Sequence, residues 1–335
     1  MKGNRLQRPD LPHAIPASGR DDGEDGTMIA RMRRHIDAAD GTRVAWHLHQ
    51  GTLGPRARTS SGAVLLTNGV GTSENFWRFV TRALATTRVV AHWDYRGHGA
   101  SEVSRGGDYR LERHVEDLEA VTDAVRAQTG QSALHHVGFS MGVRVLLEAY
   151  RRRPDTFASL TVIAGGAGAP GPEFVSGQPL TRELARQLLD ALRPAVPLVS
   201  PALKAVMGSP LVYPLARLSG VVRPRAAKQD IVAMARHMRG MDLHAFFDSV
   251  RALLDGDSSD VLATVRVPAL VINAKRDLLM SPAAVERLYR ALPRGTRWME
   301  LEEAGHAGLV EAGDEIGKEL AGFLDDAERT ALRRA

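Results

Sequence analysis

Apolar residues along this chain follow two alternating spacings. Between Arg43 and His49 they fall at every second position, with Val44, Trp46 and Leu48 alternating with Arg43, Ala45, His47 and His49. That pattern predicts a half-buried strand. Asp40-Gly41 just before it is a hairpin-turn signal, and ordered structure is expected from about Met28. Ala63–Thr67 is a short unbroken apolar run, suited to a strand covered on both faces. Phe76, Phe79, Val80, Ala83 and Leu84 then fall at helical spacing, Arg88–Trp93 reads as a strand, and Val115, Leu118, Val121 and Val125 mark one face of an amphipathic helix. An apolar run enters Gly138, and a helical pattern (Val143, Leu146, Leu147, Tyr150) leaves Gly142 and stops at Arg151-Arg152-Arg153-Pro154. Leu160–Ala164 is another buried strand. Strands alternating with helices at this rhythm imply an α/β fold: a mostly parallel, doubly wound sheet with helices on both faces.

The rhythm breaks after Gly165. Nine of the seventeen prolines lie between Gly165 and Pro224, separated by short apolar helical fragments such as Leu184, Leu188 and Leu192. Helical pattern returns around Lys228–Leu254, then come a strand at Ala269–Asn273, a helix at Pro282–Leu292, a strand at Arg297–Leu301 and a closing helix at about Asp314–Asp325. An irregular stretch between two sheet strands reads as an insertion. Ligands of open α/β sheets bind beyond the carboxyl ends of the strands, so this insertion is expected to form a cap over the site. The expected organisation is an unstructured N-terminal segment (1–27), a first part of the core (28–165), a helical cap (166–240) and a second part of the core (241–335).

With 335 residues, 44% of them hydrophobic, the chain has enough apolar material for a large core plus a subdomain. It has no cysteine, which excludes disulfides, thiol catalysis and cysteine-ligated metal. Its N-terminus is polar with no apolar signal core, and Ala205–Ala216, interrupted by Pro210 and Pro214, is too short to span a bilayer. A cytoplasmic protein is expected. The formal charge of +5 is concentrated in the middle: residues 166–240 hold ten Lys/Arg against four Asp/Glu. No nucleic-acid-binding module accompanies that charge. It suits an anionic substrate or a membrane surface, and the plainer account is a solvated arginine-rich face.

Gly138-Phe139-Ser140-Met141-Gly142 is the stretch that carries chemistry. A strand reversing into a helix over so few residues forces strained backbone on the middle residue, and side chains two positions away would collide. The serine oxygen then stands at the tip of the turn, before the positive end of a helix. The pattern resembles the nucleophile elbow of the α/β-hydrolase superfamily, here a capped member like serine esterases and lipases. The resemblance covers about Ala63 to His306. It implies Ser140 as nucleophile, an acid on the loop after a late strand, and a histidine on the loop after the last one. Asp277, in Lys275-Arg276-Asp277-Leu278, fills the first place, although the usual glycine two or three residues earlier is missing. His306, in Ala304-Gly305-His306, fills the second. The resemblance also implies an oxyanion hole from the backbone N–H groups of Met141 and Val70. Asn68-Gly69-Val70 stands where the family usually has His-Gly-X, and Asn68 is expected to anchor that loop. Asn68, Gly69 and Phe139 are further expected to touch substrate. Asp94 and Arg96, in the turn Asp94–Ser101, read as scaffold charges. His98, His135, His136, His237 and His244 read as structural or surface residues.

The expected function is hydrolysis of a carboxylic ester with an apolar acyl or aryl group, through an acyl-enzyme. Acyl transfer, thioester hydrolysis and C–C bond hydrolysis use the same triad and stay open, as does a binding protein with little turnover. No cofactor or metal is expected, since no phosphate loop, dinucleotide fingerprint or zinc motif appears.

Overall fold

The computed structural model describes residues 21–22, 28–51, 61–168 and 182–333. The segment expected to lack structure, 1–27, lies outside them except at Asp21–Asp22 (β1), which corrects the expectation there by pairing with Ile29 and Met28. The expected loop from Pro55 lies outside them up to residue 60.

Met28–Asp37 (β2) and Arg43–Gly51 (β3) form an antiparallel hairpin about the Asp40-Gly41 turn. Gly41 there has φ +76°, a conformation open to glycine. Val64–Thr67 (β4), Val90–Trp93 (β5), Leu134–Phe139 (β6), Phe157–Ile163 (β7), Ala269–Ala274 (β8) and Arg297–Leu301 (β9) complete a nine-stranded sheet. Its order is β1-β2-β3-β5-β4-β6-β7-β8-β9, antiparallel through β3–β5 and parallel from β5 to β9. β5 and β6 lie on opposite sides of β4. The strand order therefore reverses at β4, and the loops after β4 and β6 diverge to open a crevice at their carboxyl ends.

The sheet separates two apolar layers. Along β4, Leu65 enters one layer, while Val64 and Leu66 enter the other. Along β8, Ala269 and Val271 alternate with Leu270 and Ile272 in the same way. Glu74–Ala85 (α1) and Gly313–Leu332 (α12) cover one face. Leu111–Thr129 (α2), Met141–Arg152 (α3) and Pro282–Ala291 (α10) cover the other. The closing helix runs past the Asp325 boundary expected for it, to Leu332.

Between β7 and β8 the chain leaves the sheet. Arg182–Leu192 (α4), Val196–Met207 (α5), Val212–Leu218 (α6), Lys228–Gly240 (α7), Leu243–Leu253 (α8) and the short Ser259–Leu262 (α9) follow one another. The helical excursion thus extends beyond residue 240, because α8 packs on α4 and α5 as well as on α2. Three further short elements close the description: a helical turn at Gly308–Glu311 (α11) and 3-10 turns at Pro154–Thr156 and Arg193–Ala195.

Candidate active site

β6 ends at Phe139 and α3 starts at Met141, leaving Ser140 alone to reverse the chain. Its φ of 52° with ψ of −116° is strained for a residue with a side chain, at a cost of about 1–3 kcal/mol. The neighbouring glycines make the turn possible. A Cβ on Gly142 would lie 2.5 Å from the Thr67 carbonyl oxygen and 2.7 Å from that of Asn68, and one on Gly138 would lie 2.7 Å from Leu146. α3 can then start directly against the β4 loop, with the Ser140 hydroxyl at its N-terminal end.

β8 delivers Asp277 and β9 delivers His306. The Asp277 carboxylate is buried, and its Oδ1 accepts from the backbone N–H groups of Leu279 and Met280, each at 2.8 Å. Its Oδ2 lies 2.8 Å from His306 Nδ1, and His306 Nε2 lies 3.0 Å from Ser140 Oγ. With the Nδ1 proton donated to the carboxylate, Nε2 is left to accept from the hydroxyl. Three side chains separated by 29 and 166 positions thus form one hydrogen-bonded line.

The line ends at a cavity of about 370 Å³. Val70 and Met141 line it beside Ser140. As the first residue of α3, Met141 has an N–H with no acceptor inside its helix. The other walls are mostly apolar, with Phe76 and Phe139 from the core, Met234 and Met238 from α7, Phe246, Val250 and Leu253 from α8, and Met280 beside the acid loop; Thr72 and Arg144 are the polar side chains among them.

Residues 58–313 match the family model described as serine aminopeptidase, S33. The chain belongs to this family of α/β hydrolases. Among its relatives, the protein named "Putative carbamate hydrolase RutD" of Azorhizobium caulinodans is 26% identical over 272 residues, 79% of this chain and 92% of that one. The dihydrolipoyllysine-residue acetyltransferase component of the acetoin cleaving system of Pseudomonas putida is 28% identical over 269 residues, 78% of this chain and 63% of that one. In fold, the chain is similar to an esterase of Exiguobacterium antarcticum at a TM-score of 0.68 and 20% identity, over 87% of this chain and 98% of that one. The protein is a hydrolase of the α/β-hydrolase superfamily.

Within this α/β hydrolase, two of the three residues expected to touch substrate stand elsewhere. Asn68 is buried with its amide turned into the scaffold: Nδ2 donates to the Trp93 carbonyl at 2.7 Å, and Oδ1 accepts from Trp77 Nε1 at 2.7 Å. Both ends of the amide are used, so it anchors the loop and does not face the cavity. Gly69 is likewise absent from the cavity wall. A Cβ there would come within 2.8 Å of the Phe139 ring and 3.1 Å of Ser140 Cβ. Phe139 does line the cavity.

The scaffold charges sit in the core. Arg96 is fully buried and grips both oxygens of Asp117, at 2.8 and 2.7 Å, while also reaching Asp40. Asp94 accepts from the Ala100 N–H at 2.9 Å and meets His47 at 3.2 Å. Burial holds His98 down to about 4 and His136 down to about 3, so both are neutral near pH 7. His135 bonds Ser159 at 2.8 Å. Among the described residues, His47, Glu74 and His92 bring ligand atoms within 4.8 Å of one another. The His47 and His92 rings, however, stack nearly parallel with their centroids 4.4 Å apart, so their in-plane lone pairs do not converge. Arg31 also occupies Glu74 at 2.5 Å. This group reads as polar packing between the hairpin and α1.

Sequence reasoning missed Glu311. Its buried carboxylate accepts from the Gly305 N–H and from the Arg223 N–H, both at 2.6 Å, and burial pushes its carboxyl up. It ties the His306 loop to the chain entering α7. The one available signal was an acidic residue in an otherwise apolar stretch, Ala307–Gly313, five positions after the histidine.

Proposed function

We propose that this α/β hydrolase cleaves carboxylic esters with an apolar acyl or aryl group, using Ser140 as nucleophile, His306 as general base and acid, and Asp277 to orient it. The observation that carries the reading is the hydrogen-bonded line Asp277–His306–Ser140 opening on an apolar cavity. Ser140 Oγ attacks the carbonyl carbon while its proton passes to His306 Nε2. The charge on the carbonyl oxygen is met by the N–H groups of Met141 and Val70, each donor lowering the barrier by about 2.7–4 kcal/mol. His306 then protonates the leaving alkoxide, and the alcohol departs. Water attacks the acyl-enzyme and gives its proton to His306. Collapse of the second intermediate releases the acid and returns that proton to Ser140.

The family's description names an aminopeptidase, whose substrates carry a charged amino terminus. None of the described cavity-lining residues is a carboxylate that would hold one, which argues against a substrate with a cationic terminus. Hydrolysis of p-nitrophenyl esters by the wild type and by Ser140→Ala tests the proposal. The expected loss in kcat is about 10⁶-fold, and intact mass should show one fluorophosphonate adduct on the wild type alone. Equal turnover by the two proteins rules the mechanism out. The acetyltransferase-named relative favours acyl transfer as a second reading. A transesterified product formed faster than free acid, with an alcohol acceptor present, would select it.

A further inference from the structure

We propose that the outward side of α4, α5 and α6 docks on a membrane surface containing anionic lipid. Thirteen large apolar side chains are exposed among the described residues, and nine of them lie between Leu184 and Leu218. They are ordered by helical spacing: Leu184, Leu188 and Leu192 on α4, Leu198, Val199 and Val206 on α5, and Leu211, Leu215 and Leu218 at and along α6. Leu198 is 83% exposed and Leu218 84%. The helices meet the rest of the protein on their other sides, α4 and α5 against α8, and α5 and α6 against α7. An apolar surface of this kind on a folded domain marks a site of contact with something else.

Charge chooses the occupant. From Asp190 to Asp230 the intervening chain contains no Asp or Glu and six Lys/Arg, with Lys204 on α5 and Arg217 on α6. A second copy would present the same excess of cations, five Lys/Arg against two Asp/Glu from 182 to 218, with both acids on α4 and Asp190 already held by Arg251. A leaflet with anionic headgroups offers hydrocarbon to the leucines and negative charge to the cations together. The geometry fits lying on a membrane. No single described helix is long and apolar enough to cross one, and the apolar run from Arg186 to Met207 is bent by 102° against α6. α7, on which α5 and α6 rest, also supplies Met234 and Met238 to the cavity. The docked layer is therefore one helix away from Ser140, although docking itself does not depend on the chemistry there.

The test is co-sedimentation of the full chain with vesicles of phosphatidylcholine alone and of phosphatidylcholine mixed with phosphatidylglycerol. The wild type is expected to pellet with the mixed vesicles, less with the neutral ones, and to be released by salt. The double substitution Leu198→Glu with Leu218→Glu is expected to lower partitioning about tenfold or more, with unchanged circular dichroism and melting, since both side chains are already in water. A wild type that stays in the supernatant with both vesicles overturns the proposal, and so does a double variant that binds as well as the wild type. Sedimentation velocity without lipid supplies a third outcome against it: a dimer that the double variant dissociates would assign the face to a second copy.

Discussion

The rim around Ser140 and the helices above it obey opposite rules. At the rim, little is left free. Ser140 sits at a positive φ, Gly142 has backbone oxygen 2.5 Å from where a Cβ would be, and both ends of the Asn68 amide are taken. In α4–α6, leucines stand in water and the ion pairs are peripheral, such as Arg193–Asp248 and Arg251–Asp190. The rim leaves few alternatives at these positions, because backbone and buried polar atoms close on them. The cap needs only to be apolar on both sides, and many sequences satisfy that.

The contrast should show most strongly in acid. Burial lowers the folded-state pKa of His49, His114 and His136 to about 3 and that of His98 to about 4, against an ordinary 6.5. Above 6.5 both folded and unfolded chains hold these rings neutral. Below it only the unfolded chain takes up protons, until pH reaches the folded values. Stability is therefore lost as pH falls from about 6.5 toward 4, by about 1.4 kcal/mol per histidine per pH unit. His49 and His136 lie in the sheet, His114 in α2 and His98 in the buried turn after β5, so melting followed at successive pH values should report collapse of the core. A flat melting temperature from pH 7 to 5 would break the comparison.

Gly142→Val comes next. Its side chain would meet backbone, which yields little, and about 3 kcal/mol or more of stability should be lost, read by chemical denaturation. Asn68→Ala should cost about 2 kcal/mol, because the Trp77 N–H and the Trp93 carbonyl are left buried without it. Leu192→Gln, on the exposed side of α4, should stay within about 0.5 kcal/mol in lipid-free buffer. A cap substitution as costly as the Asn68 one would show that the two regions are not so different.

The same contrast explains what could be read from the sequence. Ser140 between Gly138 and Gly142 was legible because sterics leave few alternatives at a strand-to-helix reversal. β4 was legible as an unbroken apolar run, and β8 as a strand, because the sheet is covered on both sides. His306 and Asp277 could be placed through their strands, which the apolar runs mark. Asn68 was half legible: its anchoring was expected, but nothing local says that Trp77 and Trp93 consume the whole amide. Glu311 was not legible, because its partners, Gly305 and Arg223, are brought together only by the tertiary fold. The exposure of the cap leucines was equally hidden, since an apolar stripe at helical spacing reads the same whether it faces a neighbour or water.

One carboxylate holds two ends at once. By gripping Gly305 and Arg223 together, Glu311 pins the link between α6 and α7 to the loop that carries the imidazole. A displacement of α4–α6 that leaves both bonds intact would turn about this pin and leave the His306 ring in its seat. On the proposed reading of the site, one side chain would thereby separate access to the cavity from alignment of the base.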